Sequence, residues 1–386
     1  MRVLIMTGPL WPQPGNNANL IGKLIPWFQR AGHEVQLFSA AFGEEESTLQ
    51  AERFNVPIFW ARDRERDWKR RILYPAVSRA VDPNGFSDAL QAQIFLRELQ
   101  KVRKRYPFDA VLSTSEPYSM AVAASRIRGI AKALYIMDPP ACVSGGRETV
   151  YRNRSLPTLL RKQTAVITTP FVRNALVSRG FAFPEREASV GFPMIIPDMP
   201  EKTASADGRI HLLFCGWLYS DIRSPKYFLD IVSRLDERFV VTFMGKECEK
   251  LTKRFDIQTK AELITLPNQP YEIAQQAMAD ADIMINLGNS VPVHMPSKTL
   301  EYINTGKPFV NFYKMDDCPT LYYTRRYPLC LNISERDTDK DTAARRFINF
   351  CEENKGKTVE RAFIENEYAD CTPAYIAQKI MDCLEN

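Results

Sequence analysis

The sequence predicts an α/β chain built as two Rossmann-like domains, each a doubly wound parallel sheet, and three observations lead there. Short apolar runs alternate with amphipathic stretches of helical period, the pattern that βαβ units impose on a chain. The alternation stops in GFPMIIPDMPEKTASADGR, rich in proline, glycine and small polar residues, and then starts again. The chain has 386 residues, 45% apolar and 25% charged, which lies in the globular range and is too long for one ordinary core.

In the first half, RVLIMT at 2–7 reads as a buried parallel strand, and a Gly/Pro-rich loop follows. ANLIGKLIPWFQRAG reads as an amphipathic helix ended by Gly32, and HEVQLFSA as the next strand. FSDALQAQIFLRELQKVRKRY is a helix leading into strand DAVLSTS, helix SMAVAASRIRG and strand AKALYIMD. AVITTP is a further strand and FVRNALVSRG a further helix, with the domain boundary placed near Pro193–Asp207.

The second half repeats the alternation without repeating the sequence. Strand IHLLFCG, helix KYFLDIVSRL and strands FVVTFMG and LITLP lead to helix PYEIAQQAMADA, strand DIMINLG and helix SKTLEYINTG. Strands PFVNFY and LCLNI and helix DTAARRFINFCEEN complete it. These readings give an N-terminal domain over 1–200, a C-terminal domain over 201–365 and a last amphipathic helix, 366–386, that can pack on its own domain or cross back to the first.

A net charge of +5 is mild for this length, and without a concentrated basic face it argues against a nucleic-acid partner. The eight cysteines have no CxxC spacing and several lie in apolar runs, as buried free thiols of a reducing compartment do. The start shows no cleavable signal pattern and no stretch is long enough to span a bilayer, so the expectation is a cytoplasmic protein, with at most peripheral contact at the inner membrane face. The run Trp60–Arg71 carries Trp68, Lys69, Arg70 and Arg71, which suits an anionic lipid surface, but its interspersed acids suit a solvated segment as well.

Chemistry concentrates in PSKTLEYINTGKPFV, 296–310. A strand and a short loop deliver a helix that starts after Pro296 and Ser297, and a helix start at the carboxyl end of a parallel strand attracts phosphate. Lys298 in its first turn opposes the helix dipole unless an anion sits nearby. Glu301 can accept both vicinal hydroxyls of a ribose, or can serve the dipole as an acid of the first turn.

The spacing P-S-K-x-x-E-Y-x-x-x-G-K-P resembles the donor-site motif of family 4 and related retaining glycosyltransferases of the GT-B fold. LLFCGWLYSDIRSPKYFLDIVSRL, FDAVLSTSEPYSMAVAA, ALYIMDPP and TTPFVRNALVSRG are similar to other stretches of that group, so the resemblance runs over most of the chain. It implies two domains facing a central cleft, the donor ribose on Glu301, and the diphosphate near Ser297, Lys298 and Thr299. It also implies retention of anomeric configuration and no cofactor, the nucleotide sugar being a substrate.

Two departures stand out. An acid eight residues before Glu301, credited in the family with touching the transferred sugar, is replaced by Val293, beside His294. The family's G-R-L-x-x-x-K is altered: Gly216 is followed by Trp217, and the nearest basic residues are Arg223 and Lys226, either of which can neutralise the leaving diphosphate.

Elsewhere, Gly15 permits close backbone approach and Asn16 can cap the helix that follows, as part of the donor site or as a plain structural loop. Asp138, at the end of a strand and before two prolines, is a candidate catalytic residue, though an acid there can also cap a turn. Glu116 holds a similar place as an acceptor-side candidate. Of three histidines, His33 and His211 lead strands and read as structural, leaving His294 as a loop candidate near the sugar; no spacing of acids or histidines offers a metal cage.

The expected activity is transfer of a hexose-type sugar from a nucleotide-sugar donor to a hydroxyl of a glycan or lipid-linked glycan, without metal. Lys298 and Arg223 are expected to stabilise the departing phosphate. A nucleotide-sugar epimerase or hydrolase, or a non-catalytic sugar-nucleotide-binding protein, would use the same architecture.

Overall fold

A computed structural model of the chain describes residues 1–8, 16–41, 55–62, 85–137, 150–196, 200–203 and 207–385. It divides into two units, Met1–Pro193 together with Asp370–Asn386, and Met194–Ala369.

The first unit runs β1 (Arg2–Thr7), α1 (Asn16–Gly22), α2 (Ile25–Arg30), β2 (Glu34–Ala41), β3 (Ile58–Arg62) and α3 (Gly85–Arg105). It continues through β4 (Ala110–Thr114), α4 (Tyr118–Ser125), β5 (Ala131–Ile136), α5 (Val150–Arg161), β6 (Ala165–Thr168), α6 (Pro170–Ser178) and β7 (Arg186–Ser189). All seven strands are parallel, in the order β3-β2-β1-β4-β5-β6-β7. Central strands such as β1 and β4 are buried along nearly their whole length because helices cover both faces. Leu4, Met6, Phe38, Phe95 and Val111 belong to one apolar cluster, and Tyr118, Leu134, Leu156, Leu160 and Val172 to another.

One expected element is divided. The single helix read across 18–32 is two helices, because Pro26 in the first turn of α2 has no N–H to give the carbonyl four residues back.

The second unit runs β8 (Ile210–Cys215), α7 (Lys226–Val232), β9 (Phe239–Met244), α8 (Cys248–Arg254), β10 (Glu262–Leu266), α9 (Tyr271–Asp280) and β11 (Ile283–Leu287). Then come α10 (Lys298–Asn304), β12 (Phe309–Tyr313), α11 (Pro319–Thr324), β13 (Cys330–Ser334), α12 (Lys340–Asn354) and α13 (Arg361–Glu367). Its six parallel strands follow the order β10-β9-β8-β11-β12-β13. Phe228 of α7, Phe312 of β12 and Phe347 of α12 pack together, ring centroids 5.3 to 6.2 Å apart, with Phe243 of β9 beside Phe228.

The last helix, α14 (Pro373–Glu385), belongs to the first unit. It buries Ile376, Ala377, Ile380, Met381 and Leu384, and the chain re-enters that unit where Gly191 N–H donates to the Asp370 carbonyl at 2.8 Å.

The seven described cysteines are free, five of them buried. Among the described residues no helix is long and apolar enough to cross a membrane.

In both sheets the strand order reverses beside the first strand of the unit, between β1 and β4 and between β8 and β11. Crossovers leave these neighbouring strands in opposite directions, so a crevice opens outside their carboxyl ends, where doubly wound folds hold ligands.

Candidate functional site

In the second unit the two strands of that crevice end in glycine, β8 at Gly216 and β11 at Gly288. Gly216 is packed close by its neighbours: a Cβ on Gly245, where φ is +140°, would lie 2.0 Å from the Gly216 carbonyl oxygen. Only glycine lets the end of β9 come this near.

Arg223 enters from the loop after β8, a loop closed by a bridge between Tyr219 and Arg223 and pinned by the Ser290 N–H donating to the Ile222 carbonyl. It is 9% exposed. Its Nε donates to Asn289 Oδ1 at 2.8 Å and its Nη1 to the Trp217 carbonyl at 3.1 Å. Among the described residues no carboxylate pairs with it, and burial pulls its pKa down from the ordinary arginine value. A desolvated guanidinium held only by neutral acceptors is costly to keep and is offset by an anion arriving.

Lys298 opens α10, and its Nζ lies 2.5 Å from Glu301 Oε2 one turn on. Burial works against the Lys298 charge, but the Glu301 carboxylate outweighs it and raises the lysine pKa. An anion for Lys298 in the first turn is thus found within the chain, where the i,i+3 spacing supplies Glu301. Glu301 is 8% exposed and also accepts from Gln275 Nε2 of α9 at 3.5 Å.

α10 itself is anchored rather than capped. Ser297 at its N-cap makes no side-chain capping bond. Thr299 is fully buried, its hydroxyl donating to Asn286 Oδ1 at 3.3 Å. From there a side-chain ladder crosses three adjacent strands in register: Asn286 donates to Asn311 at 2.7 Å, Asn311 to Asn332 at 2.8 Å, and Thr324 also donates to Asn332. Tyr302 ties the helix to the end of β8, its hydroxyl donating to the Cys215 carbonyl and accepting from the Cys215 N–H. The helix start is thereby held by buried hydrogen bonds on two sides.

At the mouth Trp217 is 41% exposed, stacked on Tyr219 with centroids 4.8 Å apart, and Lys246 Nζ stands 4.0 Å from its ring centre.

The chain matches no protein-family model, and no curated protein matches it in sequence. Solved structures do match over the whole chain. The apo form of the lipopolysaccharide outer core galactosyltransferase WaaB has a TM-score of 0.63 at 11% identity, covering 100% of this chain and 99% of that one. HepE of Anabaena, in complex with UDP and glucose, has 0.63 at 14% identity with the same coverages. A glycosyltransferase from Rickettsia africae ESF-5 has 0.65 at 10% identity, covering 100% and 97%.

The fold is GT-B.

Trp217, where the family resemblance leads to the expectation of a basic residue, is an exposed aromatic, and Arg223, farther along the loop, is buried. Lys226 is more than half exposed and pairs with Asp230 at 3.2 Å, outside that buried group. His294 lies beside Asn289, whose Nδ2 is 2.7 Å from the imidazole Nδ1 and donates to the His294 carbonyl at 2.8 Å. Asn289 was not singled out by sequence reasoning; its place directly after Gly288, at the mouth of a strand end, is the signal that would have found it.

In the first unit, Glu116 follows β4 and accepts from Arg152 Nη1 at 2.9 Å, while Arg152 also pairs with Asp88 at 2.7 Å. Asp138 and Gly15 lie outside the described residues, as do Trp68 to Arg71 and the side chain of Asn16. His33 Nε2 is 3.8 Å from Glu385 of α14. His211 Nε2 lies 3.0 Å from Asp207, a surface contact at the start of β8. Among the described residues no group of three or more histidine, cysteine or acidic side chains is placed to hold a metal.

Proposed function

We propose that this chain is a glycosyltransferase that moves a hexose-type sugar from a nucleoside diphosphate to a hydroxyl of a glycan or lipid-linked glycan. The observation that carries this reading is Arg223: a buried guanidinium that no carboxylate among the described residues pairs, in the loop after β8, the strand whose end Tyr302 ties to the helix carrying Lys298 and Glu301. A diphosphate is an anion that a guanidinium and an ammonium supplied by neighbouring elements at that strand end can hold. HepE of Anabaena, of the same architecture, has been solved in complex with UDP and glucose.

In this reading Glu301 takes the ribose hydroxyls, Lys298 and Arg223 take the diphosphate, and Ser297 and Gly216 border it. Thr299, already spent on Asn286, positions the helix instead. Lys226 is a further candidate for the donor, as are Gly15 and Asn16, while Glu116 is the acceptor-side candidate and Asp138 a catalytic candidate.

The transfer is proposed to proceed with retention and without metal. The bond from the anomeric carbon to the phosphate oxygen breaks, its electron pair going to that oxygen. The acceptor hydroxyl adds on the same face, and its proton passes to the departing phosphate. Because the departing phosphate takes the acceptor proton, no protein base is required, and Arg223 and Lys298 stabilise the charge that grows on that leaving group.

The test is a panel of nucleotide sugars incubated with and without glycan acceptors in EDTA. Consumption of one donor only when an acceptor is present is expected. Epimer formation or donor hydrolysis without acceptor would replace the reading with the second class of reaction, and binding without turnover would make the chain a sugar-nucleotide-binding protein.

A further inference from the structure

β8 and β11 flank the crevice of the second unit, and their pairing stops before their ends. β8 pairs with β9 along its whole length, Ile210–Cys215, and β11 pairs with β12 up to Leu287. Between β8 and β11 the register holds only where Leu212 meets Ile283 and Leu213 meets Met284. The His211 carbonyl accepts from the Asp282 N–H, on the β11 side, while the Gly216 N–H donates to Met244 of β9 on the other. Backbone groups alternate sides along a strand, so Cys215, like His211 and Leu213, turns its N–H and carbonyl toward β11. What meets them is the Tyr302 hydroxyl of α10, accepting from the Cys215 N–H at 3.0 Å and donating to the Cys215 carbonyl at 3.1 Å. Tyr302 is fully buried, its ring packed near Phe309 of β12 with centroids 6.4 Å apart. Burial holds the phenol well above the ordinary tyrosine pKa, so the hydroxyl keeps the proton it donates. Beyond the gap the two loops meet again, where the Ser290 N–H donates to the Ile222 carbonyl and Arg223 Nε to Asn289 Oδ1.

We propose that Tyr302 is a positioning residue whose hydroxyl wedges β8 and β11 apart, fixing the spacing between Arg223 and the Lys298–Glu301 pair that a nucleoside diphosphate must span. The oxygen belongs to the helix that carries Lys298 and Glu301, and the strand end it holds leads into the loop that carries Arg223. With one proton to give and lone pairs to accept, the phenol satisfies both backbone groups of Cys215 at once. Without it, two buried backbone groups lose their partner, and Cys215 satisfies them by extending the ladder to β11, which narrows the crevice. This rests on the donor-site reading above and adds to it the residue that sets the width of that site.

Tyr302→Phe removes one oxygen and keeps the ring. In the full chain, the Kd of whichever of UDP, GDP, ADP, dTDP and CDP binds the wild type should rise on the order of tenfold in this variant. Arg223→Ala should cost much less affinity in the Tyr302→Phe background than in the wild type, because a cation held at the wrong distance has little left to lose. A merely structural hydroxyl would move the denaturation midpoint and leave both the affinity of the folded protein and the Arg223 effect unchanged. A second measurement reads through-hydrogen-bond couplings by NMR in the deuterated, ¹⁵N,¹³C-labelled chain, with the Gly216 amide to the Met244 carbonyl as internal standard. The wild-type Cys215 amide should couple to no carbonyl of β11, and in Tyr302→Phe it should gain such a coupling.

Unchanged affinity in a folded Tyr302→Phe, or an Arg223→Ala loss that is equal in the two backgrounds, overturns the proposal. So does a folded Tyr302→Phe whose Cys215 amide gains no partner on β11. A wild-type coupling from Cys215 to β11 also overturns it, and that spectrum needs neither ligand nor variant, so it decides even where Tyr302→Phe does not fold. Failure of all five diphosphates to bind the wild type falls instead on the donor-site reading, and the couplings still decide the wedge.

Discussion

A buried charge without a counter-charge is among the costliest features a folded chain keeps, and Arg223 is buried with no carboxylate partner among the described residues. Two neutral acceptors satisfy its geometry without neutralising it, which leaves the positive potential directed into the crevice. Lys307, in the GKP end of the same motif, shows the contrasting case. Its Nζ donates to the Ala279 and Ala281 carbonyls at the end of α9, yet burial, reinforced by Lys202, lowers its pKa from 10.5 to about 8. The folded chain therefore releases this proton before the unfolded chain does, and between those two values the unfolded state holds more protons. Stability from this group rises with pH across that window, and below it the cost of the buried charge is fully present. Denaturant midpoints of the wild type measured against Lys307→Met from about pH 8 to pH 10 should diverge in the wild type's favour; parallel curves would show that Lys307 is not so perturbed.

At the scale of elements, the site depends on strand ends brought closer than side chains allow. Gly245→Ala would place a methyl group 2.0 Å from the Gly216 carbonyl and force a residue with a Cβ to hold φ at +140°. Strain and overpacking together should cost about 3 kcal/mol. A thermal or denaturant midpoint within error of the wild type would show that β8 and β9 can separate freely. Apolar runs flanked by turns identified β1, β4, β8, β11 and β12, because central parallel strands bury both faces and need no alternation. Edge strand β7, REAS, was missed: it is short and half exposed, and nothing in its composition favours a strand. The helix motif at 296–306 was legible, down to Gly306 with φ +74° closing the turn after α10. The asparagine ladder was not, although β11, β12 and β13 each carry an asparagine at the same register, because polar pairing across strands depends on a register that sequence alone leaves open. The pairing of Lys298 with Glu301 was within reach of the sequence, since i,i+3 residues of a helix face each other, and it was overlooked; that Arg223 is buried and Lys226 exposed depends on tertiary packing and was not legible.

For the molecule as a whole, the first unit is completed by the end of the chain, where α14 covers apolar surface after the second unit has been traversed. The second unit contains within itself every described residue assigned to the diphosphate and ribose, so its binding function can be measured on the full chain without knowing the acceptor. The central claim is that the desolvated Arg223 marks a nucleoside diphosphate site. The measurement is calorimetric titration of UDP, GDP, ADP, dTDP and CDP into the full chain in EDTA, and into Arg223→Ala. One diphosphate should bind the wild type, and its affinity should fall by about tenfold to a hundredfold in the variant, the loss of one charged hydrogen-bonding partner. Equal affinity in a folded Arg223→Ala, or no binding of any of the five to the wild type, would contradict the account.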